Sequence, residues 1–187
     1  DAAGGTYKVT FLSFYVGNFR LVDASGGQHP ASLVDATDTP LPYGLQLINV
    51  DDTTTEQLRL AVAPGSYQSL LFSVGVDQAC DAIPLADRSW PLTIETEMNW
   101  GWTMLHLRLE GLHNSSLGNF SLLYHLGFPE QYRSVQVASA LDLSQGPLQR
   151  TLALAVDQLI GADTPAVIAS DDQVTDNLAA PGTFSLR

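Results

Sequence analysis

Four side chains that could take part in chemistry stand at alternate positions of one short segment. They are Trp100, Trp102, Met104 and His106. Because alternate side chains of a β-strand point to the same side, a continuous strand over 100–110 would place all four on one face. The opposite face would carry Leu105, Leu107 and Leu109, which we predict to lie in the core. The first face would then display two indoles, a thioether and an imidazole, which are costly to leave in water without a role.

A second histidine, His125, lies in the next apolar run. We expect that run, 120–127, to form a hairpin with the first through the loop 111–118. If the register places His125 opposite Met104, this imidazole joins the same face. Imidazole nitrogen and thioether sulfur suit copper, whereas calcium and magnesium prefer oxygen ligands. The pattern therefore indicates a copper site. The alternative is that the histidine forms structural hydrogen bonds and the tryptophans pack within a sandwich.

The elements that must position these residues have the pattern of β-strands. Short runs of β-branched and aromatic residues end in Gly, Pro, Asn or Asp, and few windows sustain a helical period. We predict an all-β fold, an antiparallel β-sandwich or partly open barrel with long loops, as one domain over residues 1–187. Single helical turns are predicted at Asp157–Ile160 and Asp171–Leu178. The predicted strands are Tyr7–Val16, Phe19–Asp23, Ala31–Leu33, Leu45–Asn49, Gln57–Ala63, Ser69–Val76, Leu92–Glu97, Thr103–Leu109, Asn119–Leu126, Ser134–Asp142 and Leu148–Val156.

Composition restricts the partners. The chain has 187 residues, a formal net charge of -12 and a single lysine, Lys8. Without a basic stripe to neutralise phosphates, nucleic acid and anionic membranes are poor partners. No run approaches the ~20 apolar residues of a membrane-spanning helix, so we expect a soluble protein. Cys80 is the only cysteine and cannot form an internal disulfide. The chain begins at Asp1, as either a cleaved export signal or a trimmed sequence would leave it.

Several short motifs follow one another along residues 7–160. They are YKVTFLSFYVGNFRLV from Tyr7 to Val22, PGSY from Pro64 to Tyr67, FSVGVD from Phe72 to Asp77, MNWGW from Met98 to Trp102, RLEG from Arg108 to Gly111 and YHLG from Tyr124 to Gly127. In this order they resemble the motifs of the MbnP-like copper-binding proteins, which are related to the surface copper proteins of methane-oxidising bacteria.

The resemblance implies a function and a site. Such proteins are exported by bacteria, so a periplasmic, secreted or cell-surface location is expected, with a role in copper acquisition or storage and no catalytic turnover. They are often paired with a di-haem partner of the cytochrome c peroxidase type, which in some relatives oxidises a tryptophan to kynurenine that contributes to Cu(I) binding. By resemblance, Trp100 or Trp102 is the residue modified. His125 is the expected Cu(I) ligand, with His106 or Met104 as a second.

Other functions fit parts of the sequence. A secreted carbohydrate- or protein-binding sandwich without metal would use Trp90, Trp100 and Trp102 as stacking surfaces. Glu95 and Glu97 could form an acid and base pair, but one strand carrying both brackets a scissile bond poorly. Structural calcium is a further possibility, because three acidic loops could supply oxygen ligands. These loops are Asp35–Asp38, Asp77–Asp81 and Asp171–Asp172.

Overall fold

The architecture is all-β, as the sequence pattern predicts. A computed structural model describes residues 5–115, 118–161 and 169–187. Its strands are β1 (Thr6–Val22), β2 (Gln28–Pro30), β3 (Ser32–Leu33), β4 (Leu45–Asn49), β5 (Leu60–Ala61), β6 (Ser66–Val74), β7 (Leu107–Ser115), β8 (Gly118–Leu126), β9 (Arg133–Asp142), β10 (Leu152–Leu154) and β11 (Phe184–Leu186). Its α-helices are α1 (Gln78–Asp81), α2 (Val156–Leu159) and α3 (Asp171–Leu178).

One antiparallel sheet organises the molecule. Its strand order is β8-β7-β1-β6-β9, and β2 and β4 also pair with β1. Strand β1 is 17 residues long, and its central residues are buried on both faces of the sheet. We predicted two strands here, Tyr7–Val16 and Phe19–Asp23. They are one strand with a register shift between Gly17 and Arg20, where Asn18 has a φ of 55°.

The main core lies on one face of this sheet. Alternate residues of its strands, such as Leu12, Leu107 and Leu126, point into it. The C-terminal segments cover this face, with Val174 and Leu178 of α3 fully buried against it. Because α3 contacts both β8 and β9, it spans the two edges of the curved sheet. Burial of these apolar side chains is the main force that holds the C-terminal segments in place.

A smaller core lies on the other face of the sheet. Tyr15, on the face of β1 opposite Leu12, is fully buried there with Leu92, Met98 and Met104. The Tyr15 hydroxyl donates a hydrogen bond of 2.7 Å to the carbonyl oxygen of Pro91, and burial raises the Tyr15 pKa to about 12. The long connection between β6 and β7 therefore folds onto one end of this outer face.

Several predicted strands are shorter than expected or are turns. The predicted strand Leu92–Glu97 is wrong: residues 94–96 form a 3-10 turn, in which Ile94 is 57% exposed. Strand β7 begins at Leu107 rather than at Thr103. Gln57–Ala63 and Leu148–Val156 contribute only β5 and β10. The helix predicted over Asp171–Leu178 is confirmed as α3, and the predicted turn at 157–160 matches α2 within one residue.

Candidate functional site

The segment from Met98 to Leu105 is a tight hairpin, so the predicted continuous strand over 100–110 is wrong. The N–H of Trp100 donates to the carbonyl oxygen of Thr103 at 3.0 Å, and the N–H of Leu105 donates to that of Met98 at 2.8 Å. Gly101 has a φ of 83°, a conformation that glycine adopts readily and that lets the chain reverse. The hairpin separates residues that an extended strand would align.

The hairpin separates the predicted site residues into buried and exposed groups. Met104 is fully buried in the smaller core, whereas Trp102 is 67% exposed. The half-buried Trp100 lies between them and contacts Trp102 and Phe128, with ring centroids 5.7 and 5.2 Å away. The ring centroids of Trp102 and Phe128 are 6.3 Å apart. We call Trp100, Trp102 and Phe128 the aromatic cluster; Trp90 is also exposed but makes none of these ring contacts.

His106 is a buried structural histidine. The N–H of Val76 donates to its Nδ1 at 3.0 Å, and its Nε2–H donates to the carbonyl oxygen of Phe128 at 3.0 Å. Both ring nitrogens are therefore engaged, and a metal could bind only after one of these bonds breaks. Burial lowers the pKa of His106, although the bond to Phe128 and the Asp81 charge act in the opposite direction. The imidazole ties the ends of β6 and β8 to the start of β7.

His125 lies on the outer face of β8, and its register differs from the predicted one. It pairs with Arg108 rather than with Met104, because β7 begins only at Leu107. Arg108 and Glu110 do share the outer face, as the alternation over 107–110 predicts, and Leu107 and Leu109 face the main core. Sequence reasoning recovered the faces here but not the cross-strand neighbour.

A carboxylate orients the His125 ring. Nε2 of His125 lies 2.9 Å from Oε1 of Glu110, and because a carboxylate only accepts, the bond assigns the proton to Nε2. Nε of Arg108 donates to the same oxygen at 2.8 Å, and Arg108 stacks 4.5 Å above the Phe11 ring. The hydrogen bond from Arg108, and to a smaller extent the one from His125, holds the Glu110 pKa below its usual range. Among the described residues, none bonds Nδ1 of His125, which leaves this nitrogen available to a ligand.

Gly127 makes room for Trp100 just past the end of β8, two residues along the chain from His125. An ideal Cβ at Gly127 would come within 3.0 Å of Cζ3 of Trp100, so the indole occupies the space where a side chain would stand. Position 127 follows His125 by two residues, a spacing of ~6.5 Å along one face of an extended chain. Gly127 belongs to the YHLG motif and was therefore visible in the sequence. Its contact with Trp100 was not predictable from the spacing of the two residues.

The predicted ligands do not form one cluster. Within residues 5–115, 118–161 and 169–187, no three His, Cys, Asp or Glu side chains converge as a metal site would require. His125 fits a metal, because it is half-exposed and its Nε2 is bonded to a carboxylate, as is usual for metal-binding histidines. His106 and Met104 do not fit in this arrangement, because one is fully hydrogen-bonded and the other is buried among apolar side chains.

The other predicted acidic sites serve local structure. The Asp35 carboxylate accepts hydrogen bonds from the N–H groups of Thr37 and Thr39, and Asp77 caps α1 by accepting from Cys80. Glu95 and Glu97 lie at a turn rather than on a strand, and Glu97 has a φ of 57°. In the described part of the chain, Glu95 and Glu97 therefore do not share a strand face. The loops at Asp35 and Asp77 do not form a calcium site there.

These features define an all-β protein with an open aromatic cluster and an accessible, carboxylate-oriented histidine. A family model for MbnP matches residues 2–175, so the chain belongs to the MbnP family. MbnP from Methylosinus trichosporium has a similar fold, with a TM-score of 0.54 at 16% sequence identity over 82% of this chain. The match spans 66% of the length of that protein.

None of the curated proteins matches this chain. In the described part of the chain, no helix has the length and the apolar character that crossing a membrane requires.

Proposed function

We propose that this protein binds copper outside the bacterial cell, for copper acquisition or storage, and that His125 anchors the metal. The observation that carries the proposal is the position of Trp100 over Gly127, two residues from His125 on the outer face of the sheet. Membership of the family is the reason to propose copper as the metal. The contact between Trp100 and Gly127 is the reason to propose this location. Oxidation of the indole to kynurenine would provide a second group close to the imidazole.

His125 is suited to hold a metal through Nδ1. Its Nε2–H donates to Glu110, which fixes the tautomer and increases the basicity of the other nitrogen. Arg108 donates to the same Glu110 oxygen and so helps to fix the carboxylate. Imidazole and a modified indole would bind Cu(I) better than the hard cations, which prefer oxygen ligands. His106 and Met104 act here as the packed layer beneath the site rather than as ligands.

The partner and the location belong to the same proposal. Conversion of tryptophan to kynurenine takes up oxygen from water, releases one carbon as formate and gives up electrons and protons. The di-haem partner of the cytochrome c peroxidase type that the family resemblance implies would accept the electrons. The half-buried Trp100 and the exposed Trp102 are both accessible to such a partner in the aromatic cluster. Export to the periplasm or cell surface would place the protein where copper enters the cell.

Copper titration of paired histidine variants tests the proposal. The protein from its native host is compared with His125→Ala and with His29→Ala, which removes a half-buried histidine bonded to Asp23. We expect His125→Ala to lose Cu(I) binding while its circular dichroism stays that of a β protein, and His29→Ala to bind as the parent does. Equal binding by His125→Ala, or native protein that contains no copper after copper-replete growth, would overturn the proposal.

The aromatic cluster also supports a second candidate function. Trp102 is 67% and Phe128 44% exposed, and side chains of this type stack on sugar rings in carbohydrate-binding modules. A binding module without metal would be retained on a polysaccharide column, and Trp102→Ala would abolish that retention. Retention that is unaffected by His125→Ala, in a protein that does not bind copper, would favour this candidate.

A further inference from the structure

Asp81, at the end of α1, holds the hairpin that carries the two tryptophans. Its Oδ2 accepts a hydrogen bond of 2.6 Å from the Thr103 hydroxyl, and its Oδ1 accepts one of 2.9 Å from the N–H of Met104. Asp81 and Thr103 are 22 residues apart, so these bonds join two separate parts of the connection between β6 and β7. Both oxygens of one carboxylate are thus committed to two consecutive residues of the hairpin.

Arg88 holds Asp81 in place. Its side chain is only 2% exposed, and its Nε donates to the carbonyl oxygen of Ile83 at 2.7 Å. Its Nη2 donates to the backbone oxygen of Asp81 and lies 3.5 Å from Oδ1 of the same residue. A buried guanidinium needs a nearby counter-charge, and among the described residues the Asp81 carboxylate is the ion-pair partner. Asp81 is therefore fixed independently of the hairpin.

The two residues held by Asp81 determine the shape of the hairpin. Thr103 is buried, and its carbonyl oxygen accepts from the N–H of Trp100, which closes the turn. Met104 pairs with Asn99 in a β-bridge on the other side of the turn. A shift of Thr103 would move Trp100 relative to Gly127 and Trp102 relative to Trp100.

We propose that Asp81 is a positioning residue for the tryptophan site. It acts through Thr103 and Met104, and it sets the distance and angle between the indoles of Trp100 and Trp102 and the placement of Trp100 against Gly127. The inference deepens the proposed function and depends on it only for the consequence in copper binding. The effect on indole geometry is measurable in protein that contains no metal.

The test uses variants at Thr103, because Asp81→Ala would leave the buried Arg88 without its counter-charge and could prevent folding. Thr103→Val keeps the shape and removes the hydroxyl, whereas Thr103→Ser keeps the hydroxyl. Thr175→Val is the matched control, since Thr175 is equally buried and its hydroxyl donates to the carbonyl oxygen of Asp171 in α3. The readouts are the exciton circular dichroism of the paired indoles in metal-free protein and the affinity for Cu(I).

We expect Thr103→Val to reduce the exciton signal. Trp102→Phe, which lacks one of the two indoles, gives the baseline without this signal. Copper affinity should fall roughly 10- to 100-fold, as it does when the groups that orient a ligand are removed. Thr103→Ser should restore both readouts, and Thr175→Val should change neither. An unchanged exciton signal in Thr103→Val would overturn the inference. A changed signal in a protein that never binds copper would leave it standing and refute the proposed function alone.

Discussion

The Trp100 indole lies against Gly127 with no room for a side chain between them. An ideal Cβ at position 127 would be 3.0 Å from Cζ3 of Trp100 and 3.0 Å from the carbonyl oxygen of Met104. The backbone oxygen cannot easily move, because Met104 is held from both sides. Glycine at this position is therefore what allows an indole of the hairpin to rest on the end of β8.

Gly127→Ala should displace Trp100 from this place. We expect a loss of about 1–3 kcal/mol in the free energy of unfolding, as for other overpacked sites, together with weaker copper binding. Urea denaturation and a copper titration measure the two effects. Gly65→Ala is the control, since its added Cβ would be similarly tight, 3.1 Å from the Tyr67 hydroxyl, but against a residue outside the aromatic cluster, so it should cost stability without weakening copper binding. Full copper affinity in Gly127→Ala would show that the Trp100 contact does not contribute to the site.

Glu110→Gln tests the orientation of His125. The amide is close in shape to the carboxylate, but its weaker acceptor and added donor no longer favour one tautomer of the imidazole. We expect copper affinity to fall about 10-fold or more. Stability should change by less than about 1 kcal/mol, since the network is partly exposed to solvent.

The matched variant for this prediction is Glu97→Gln. Glu97 also approaches Arg108, with Oε2 at 3.6 Å from Nη1, but it does not contact His125. If both substitutions weaken copper binding equally, the effect comes from the charge of Arg108 and its partners, and the orienting role of Glu110 is wrong.

The buried His106 should make stability depend on pH. Burial lowers its pKa, so the unfolded chain binds a proton at higher pH than the folded protein does. The free energy of unfolding is therefore highest above the unfolded pKa of about 6.5 and falls as the pH decreases toward the folded value. Protonation would also place a hydrogen on Nδ1, where the N–H of Val76 now donates.

Urea denaturation at a series of pH values measures this dependence. His106→Gln, which cannot titrate, should be less stable at neutral pH because partners of the imidazole lose their bonds. Its free energy of unfolding should fall less than that of the parent between about pH 7 and pH 5, because histidine changes its charge in this range. The same slope in both proteins would show that His106 does not cause the pH dependence.

The strands were predictable from sequence where one face is buried and the other is exposed. β8 and β9 alternate in this way, and their bounds were predicted within one residue. The segment Leu92–Glu97 has a similar alternation but is a turn. Leu92 is buried by the smaller core, whereas Ile94 points into solvent, and none of the described strands pairs with either. Periodicity alone could not separate these two cases, because the difference lies in long-range packing.

The candidate site was predictable in its composition but not in its geometry. The MNWGW and YHLG motifs contain Trp100 and His125, the two residues of the proposed site. The parity argument failed between Trp100 and Met104 because Gly101 reverses the chain, which separates residues that an extended strand would align. Gly127 and Asp81 were missed, since each acts through a contact with a residue more than 20 positions away.

The geometry also predicts which tryptophan is modified. Trp100 lies against Gly127, two residues along the chain from His125, whereas Trp102 is on the outer side of the aromatic cluster, 67% exposed. A kynurenine at position 100 could reach a metal held by His125, whereas one at position 102 would point toward solvent. In protein from the native host, peptide mass spectrometry should therefore find the altered residue at Trp100. Trp100→Phe should remove the altered mass and weaken copper binding, and Trp102→Phe should keep both. A modification found at Trp102 instead would contradict the assignment of Trp100 to the site, because the copper ligand would then lie on the far side of the cluster from His125.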